Sequence, residues 1–117
     1  MNELEVNCVQ RVRPDADHHE ITHLGHLGFG CMVPVELAVV QVMSRVNRFY
    51  TVDPQTQTRI FIEVRREAGH CPYLQAQFHG EWTQHLLALP ECRPSFRIIR
   101  AGVTSETRYP KRFRSRT

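Results

Sequence analysis

Seven histidines, four cysteines and twelve carboxylates are the side chains of this 117-residue sequence with the strongest claim to chemistry. His23 and His26 have H-x-x-H spacing, Cys31 follows closely, and His70–Cys71 adds two more donors. Imidazole and thiolate both bind zinc, so these residues are the metal set the sequence offers. Structural zinc sites usually draw paired spacings from both halves of the set, and only the histidine pair has one. Residues three apart on a strand also face opposite ways, which separates His23 from His26. The expectation is a strand histidine, a loop histidine and buried thiols, with no metal and no cofactor.

Other chemistries fare no better. "GHLGFG", Gly25 to Gly30, matches neither glycine-rich phosphate signature and reads as a connector. No G-x-S-x-G is present, and three of the four serines lie at or beyond Ser95. Cys71 with His79 or His85 would make a nucleophile–base pair only if the fold brought them together, and no spacing selects either. Glu63, Glu67 and Glu81 read as a solvated face. No catalytic residue is assigned, and the expectation is a protein that is not an enzyme.

Cys8, Cys31, Cys71 and Cys92 contain no C-x-x-C pair. In an exported chain they would allow three disulfide pairings. "MNELEVN" has neither the basic nor the apolar stretch of a secretory signal, so the expectation is a cytoplasmic protein with free, buried thiols. No run approaches the roughly 18 apolar residues of a membrane span.

Charge is distributed unevenly. From Arg93 onward stand eight basic residues against one acid, Glu106, a net of +7; residues 1–92 hold seven basic against eleven acidic, a net of −4. Arginines dominate the tail, interleaved with Phe96, Tyr109 and Phe113. Guanidinium forks bind phosphate or carboxylate and stack on bases, so Arg97, Arg100, Arg108, Lys111, Arg112, Arg114 and Arg116 are the candidate contacts to nucleic acid or a protein partner.

The elements that must position these residues follow from hydrophobic period. "EVNCVQRVR" alternates and places Val6, Cys8 and Val12 on one face; "ITHLGHLG" is a second strand, and the two form a hairpin. From Pro34 to Val46 the apolar positions Val35, Ala38, Val39, Val42, Met43 and Val46 recur at helical spacing. "RFYTV", the turn "DPQTQT" and "RIFIEVRR" form a further hairpin, "YLQAQF" adds a strand, and Leu86, Leu87 and Leu89 close over the core. Phe49, Tyr50, Phe61 and Tyr73 are expected to pack among themselves rather than stack nucleobases. The order β-β-α-β-β-β implies an α+β domain, an antiparallel sheet with one helix packed on one face. "SFRIIRAG", past Cys92, alternates enough to add an edge strand.

The succession "ITHLG", amphipathic helix, "FYTV", "YLQAQ" and "LLALPEC" resembles the small bacterial family catalogued as domain of unknown function 3892. That pattern has an isoleucine–histidine strand, a helix, an F-Y-T strand, a Y-L strand and a closing N-L-L-x-L-P-x-C. The resemblance covers Val6 to Cys92; His85 stands where the pattern has asparagine, and "HGEWTQ" replaces a more acidic stretch. It implies the fold and a boundary: a domain over residues 1–92 and a basic extension over 93–117. It carries no activity. The function expected is a non-catalytic binding or accessory module that holds nucleic acid through the C-terminal arm. The alternative is a protein-interaction module, inhibitor or adaptor, as a homodimer or with a different partner, with the tail or a sheet edge at the interface.

Overall fold

The computed structural model describes residues 2–100. In chain order these form β1 (Asn2–Glu5), β2 (Cys8–Arg11), a 3₁₀ turn (His18–Glu20), β3 (Ile21–His26) and β4 (Cys31–Pro34). The helix α1 (Val35–Met43) follows, then β5 (Asn47–Val52), β6 (Arg59–Arg65), β7 (Tyr73–Phe78), β8 (Glu81–Trp82) and β9 (Arg97–Ile98). The class is α+β, as the order of hydrophobic periods implies. There are two mixed sheets rather than a single antiparallel one: five strands in the order β1-β5-β6-β7-β8 and four in the order β2-β3-β4-β9. The parallel pairs are β1 with β5 and β4 with β9.

The second sheet arises because the first alternating segment divides. Val6 N–H donates to Tyr50 O at 2.7 Å and continues the β1–β5 ladder, while Asn7 N–H donates to Gly25 O at 3.0 Å and opens the β2–β3 ladder. Leu4, Val6 and Val9 enter one common core on either side of this crossing. A bulge between Gln10 and Arg11 then breaks the alternation and turns Val12 outward, 63% exposed, where the pattern placed it inward.

The valine-rich segment is helical, held by packing of Leu37, Ala38, Val39 and Val42 on the core rather than by propensity. It stops earlier than its pattern. Ser44 N–H and Oγ–H both donate to Val40 O, at 2.9 and 2.7 Å, and Arg45 adopts φ +60°, the left-handed geometry that ends helices. Met43 and Val46, expected on the buried face, are exposed instead.

"LLALPEC" closes the body as a latch. Leu86 is fully buried, Val9 N–H donates to Pro90 O, and Cys92 N–H donates to Val9 O, each bond 3.0 Å. Cys92 forms a disulfide with Cys8 across 84 residues of sequence. This corrects the expectation of four free thiols: Cys31 is free and buried, and Cys71 is free and exposed. The chain then stays on the body. Arg97–Ile98 pairs with β4, and Ile99 donates to Met32 O and is buried, so packing continues past the boundary expected at Cys92. No helix among the described residues is long and apolar enough to cross a membrane.

Candidate functional site

Two adjoining cavities lie beside the 3₁₀ turn. The larger, about 580 Å³, runs between that turn, the start of α1 (Val35, Glu36) and the loop before β7 (His70, Cys71). The smaller, about 240 Å³, includes Asp17, Arg65 and Glu67. His18, His19 and Tyr73 line both, so the wall between them carries most of the chemistry.

Local sequence explains how this wall is built. Asp17 caps the 3₁₀ turn, its carboxylate accepting from His19 N–H at 3.0 Å. Ala16 and His18 are buried beneath the turn, which leaves His19 facing out. Across from it, Glu67-Ala68-Gly69-His70 forms a tight turn in which His70 N–H donates to Glu67 O at 3.1 Å. Gly69 sits at φ +82°, a conformation that glycine adopts without a Cβ penalty. The turn presents Glu67 and His70 together to His19.

The contacts are specific. His19 Nε2 lies 3.1 Å from Glu67 Oε1, and the Tyr73 hydroxyl donates to the same oxygen at 2.7 Å. His19 Nδ1 faces Asp17 Oδ1 at 3.4 Å, while Arg65 reaches Glu67 Oε2 at 3.5 Å. The His19 ring packs on His70 and Tyr73 with centroids 4.4 and 4.1 Å away. One ligating atom from each of His19, Glu67 and His70 falls within 4.8 Å of the others.

Electrostatics agree with this geometry. The Tyr73 hydroxyl, and then His19, hold the Glu67 carboxyl below its ordinary range. Burial first, and then the bond to Glu67, push the Tyr73 phenol up. Burial lowers the His18 imidazole, whose Nε2 is buried without a hydrogen-bond partner among the described residues.

The donor set read from the sequence does not assemble. His23 bonds Thr22 Oγ1 at 2.9 Å, whereas His26 sits 3.5 Å from Glu5 and stacks on Phe29. Cys31 is buried, its thiol pushed up to about 11 by desolvation. Of the five residues in that set, only His70 enters the cluster described above, joined by His19 and by Glu67, which read as part of a solvated face. His85 bonds Asp53 at 3.0 Å and Thr83 at 2.7 Å, tying the β5–β6 turn to the latch instead of serving Cys71. "GHLGFG" connects β3 to β4, not a strand to a helix, and Gly30 N–H donates to His26 O.

No family model, no curated protein and no solved structure matches this chain.

The aromatic positions resolve as packing. Phe49 is fully buried, and Tyr73 lies against His19. Tyr50 and Phe61 are neighbours, capped by Arg59 and Arg48 at 4.6 and 3.7 Å from the ring centroids. Those arginines in turn pair with Glu3 at 2.6 Å and Glu63 at 3.2 Å. Arg13 likewise pairs with Glu20 at 2.9 Å.

The root of the arm differs. Arg93, Arg97 and Arg100 are exposed, and none has an acidic partner among the described residues. Strand β9 fixes Arg97 opposite Cys31, and Ile99 buries between Arg97 and Arg100, so both guanidinium groups are displayed from a pinned backbone. Arg108, Lys111, Arg112, Arg114 and Arg116 lie outside the described residues.

Proposed function

We propose that this chain is a non-catalytic, cytoplasmic binding module that holds nucleic acid through its basic C-terminal arm without reading sequence. The observation that carries this is a contrast in charge pairing. Four of the body's seven arginines, Arg13, Arg48, Arg59 and Arg65, lie 2.6–3.5 Å from carboxylates, whereas none of the three at the arm's root does among the described residues. The sequence beyond them adds five more cations against a single acid. Unpaired guanidinium groups in series suit a phosphate backbone, which rewards charge and forks rather than a shaped pocket. The acidic body, net −4, keeps the rest of the surface from competing for phosphate.

The test is fluorescence anisotropy of labelled single- and double-stranded oligonucleotides of several sequences, titrated with full-length protein across a salt series. Cutting the chain at Arg93 would delete β9, so the variants keep full length. One changes Arg108, Lys111, Arg112, Arg114 and Arg116 to glutamine, and another adds Arg97→Gln and Arg100→Gln. Wild type should bind all sequences comparably, and neutralising five cations should flatten the duplex log–log salt slope by up to about 4.5, at roughly 0.9 per phosphate contact. Unchanged binding by the variants, or no binding by wild type at low salt, rejects the proposal. The arm would then face protein, and recovery of a folded partner or a homodimer becomes the reading to pursue.

A further inference from the structure

We propose that His19, Glu67 and His70 form a binding site for one divalent transition-metal ion, zinc foremost, open on one side to the 580 Å³ cleft. Two imidazoles and one carboxylate are a set that zinc accepts with three protein ligands, leaving a fourth position for water or a small ligand. Imidazole nitrogen favours zinc and its transition-metal neighbours over magnesium and calcium, which prefer all-oxygen shells.

Zinc–ligand bonds of about 2.0–2.1 Å in a tetrahedron put donor atoms roughly 3.4 Å apart. His19 Nε2 and Glu67 Oε1 already stand at 3.1 Å, and the full set lies within 4.8 Å. Closing the remainder asks for rotation of the His70 side chain, which is exposed and unencumbered by burial.

The surroundings of the donors separate this cluster from a chance meeting of polar side chains. Metal-binding histidines typically direct their second nitrogen to a carboxylate or carbonyl, and metal-binding carboxylates are themselves hydrogen-bonded. Both features are present. Asp17 faces His19 Nδ1, which leaves Nε2 turned toward Glu67 and His70. The Tyr73 hydroxyl orients Glu67 through Oε1. The Tyr73 ring packs tilted against the His19 ring, centroids 4.1 Å apart, and holds it in place. Asp17, Glu20 and Glu36 add negative charge around the two cavities, offset in part by Arg65, by Arg11 near His18 and by Arg13 on Glu20. His18, buried and with Nε2 unpartnered among the described residues, lines both cavities and offers a contact to whatever the metal holds.

The experiment is zinc titration of the full-length protein by calorimetry, without reductant so that the Cys8–Cys92 bond stays intact, with competition against a chromophoric chelator. Cobalt serves as the spectroscopic probe of coordination number. One equivalent should bind, and cobalt should show visible bands of a four- or five-coordinate N/O site without thiolate charge transfer. His19→Ala, Glu67→Gln and His70→Ala should each abolish the site or weaken it by at least about a hundredfold. Asp17→Asn and Tyr73→Phe should cost about ten- to a hundredfold by loosening the ligands' orientation. Cys71→Ser should leave affinity unchanged. The proposal falls if wild type takes up no zinc, or if the three ligand variants bind as wild type does. It falls equally if Cys71→Ser removes the metal, which would assign the site to a thiolate. Circular dichroism and urea unfolding of each variant confirm that a lost site is not a lost fold.

Discussion

Breaking the Cys8–Cys92 bond should cost this protein a large part of its stability, chiefly through the unfolded state. The bond closes a loop of 84 residues, nearly the whole described body. In the chain-entropy treatment a loop of that size restrains the unfolded ensemble by about 4.5 kcal/mol. The folded side loses less. Cys8 and Cys92 are buried and remain adequate apolar residues as thiols, and the latch keeps its two 3.0 Å backbone bonds to Val9 and its buried Leu86. With total stabilities of about 5–15 kcal/mol for domains of this kind, the loss is large without being certain to unfold the chain. At a urea slope of about 1.5 kcal/mol per molar, the midpoint should fall by about 3 M. The slope itself should rise, because the uncrosslinked unfolded chain exposes more surface.

Urea unfolding followed by Trp82, the single tryptophan, reads both quantities on oxidised protein, reduced protein and the C8A/C92A variant. Thiol counting under denaturing conditions supplies the control: two reactive thiols, Cys31 and Cys71, before reduction and four after it. A midpoint shift below about 0.5 M would refute the loop-closure argument. Four thiols in the untreated protein would refute the bond. A chain that folds only when oxidised would count against the cytoplasmic placement proposed above, since the reducing cytosol seldom sustains such a bond.

Gly25→Ala should overpack the same region. A Cβ there would meet Cys92 Sγ at 2.6 Å, Cys31 O at 2.8 Å and Met32 Cβ at 2.9 Å. The first is crosslinked and the second is backbone, so neither retreats easily, and a loss of about 1–3 kcal/mol is expected in urea unfolding. The loss should shrink in reduced protein, where the sulfur is free to move; an equal loss in both states would show that the sulfur is not the obstacle. Stability should also fall as pH drops below about 6.5, the ordinary histidine value. Burial, the leading cause, lowers His23 and His26, partly offset by Glu36 and Glu5, with Arg100 lowering His23 further. The unfolded chain therefore binds protons first as pH falls. The contribution is complete above 6.5, declines down to the folded-state values and is flat below them. Urea midpoints between pH 7.5 and 5 should show this decline, and it should weaken in the His23→Gln, His26→Gln double variant; a rise on acidification would contradict the sign.

What the sequence reveals divides along physical lines. Local signals were legible: helical spacing in Val35, Ala38, Val39 and Val42, and the β5–β6 hairpin, whose Asp53 caps its own turn through Thr56. The helix end was not. Arg45 takes the left-handed conformation without glycine's signature, and Ser44 supplies the stop by hydrogen-bonding back to Val40. Strand partners were hidden for a different reason. Apolar Leu4, Val6, Cys8 and Val9 follow one another without a break where the first strand crosses between sheets, and Leu4, Val6 and Val9 bury in the same core, so no gap in the pattern marks the crossing. The cluster was half visible: Glu67-x-Gly-His70 reads as a turn bearing two donors, but its partner His19 lies 48 residues before Glu67 and arrives only through tertiary packing. The disulfide had no spacing to betray it.

The two candidate sites differ in the sign of the charge they attract, and that makes them separable. The cavities are bordered by Asp17, Glu20, Glu36 and Glu67, and with Arg65 beside Glu67 and Arg13 on Glu20 the border still carries more acid than base, which favours a cation over phosphate. The arm carries +7 and does the reverse. Contact with phosphate proceeds by release of counterions, so its strength must fall steeply with salt. Coordination of a metal by two imidazoles and a carboxylate uses short directional bonds, far inside the roughly 10 Å over which salt screens at 0.1 M. Monovalent salt therefore distinguishes them in one preparation: nucleic-acid affinity should collapse over a range that leaves zinc in place. If zinc leaves with the same salt dependence, the carboxylates are holding it as a diffuse counterion, and the imidazole ligation argued from His19 and His70 is wrong.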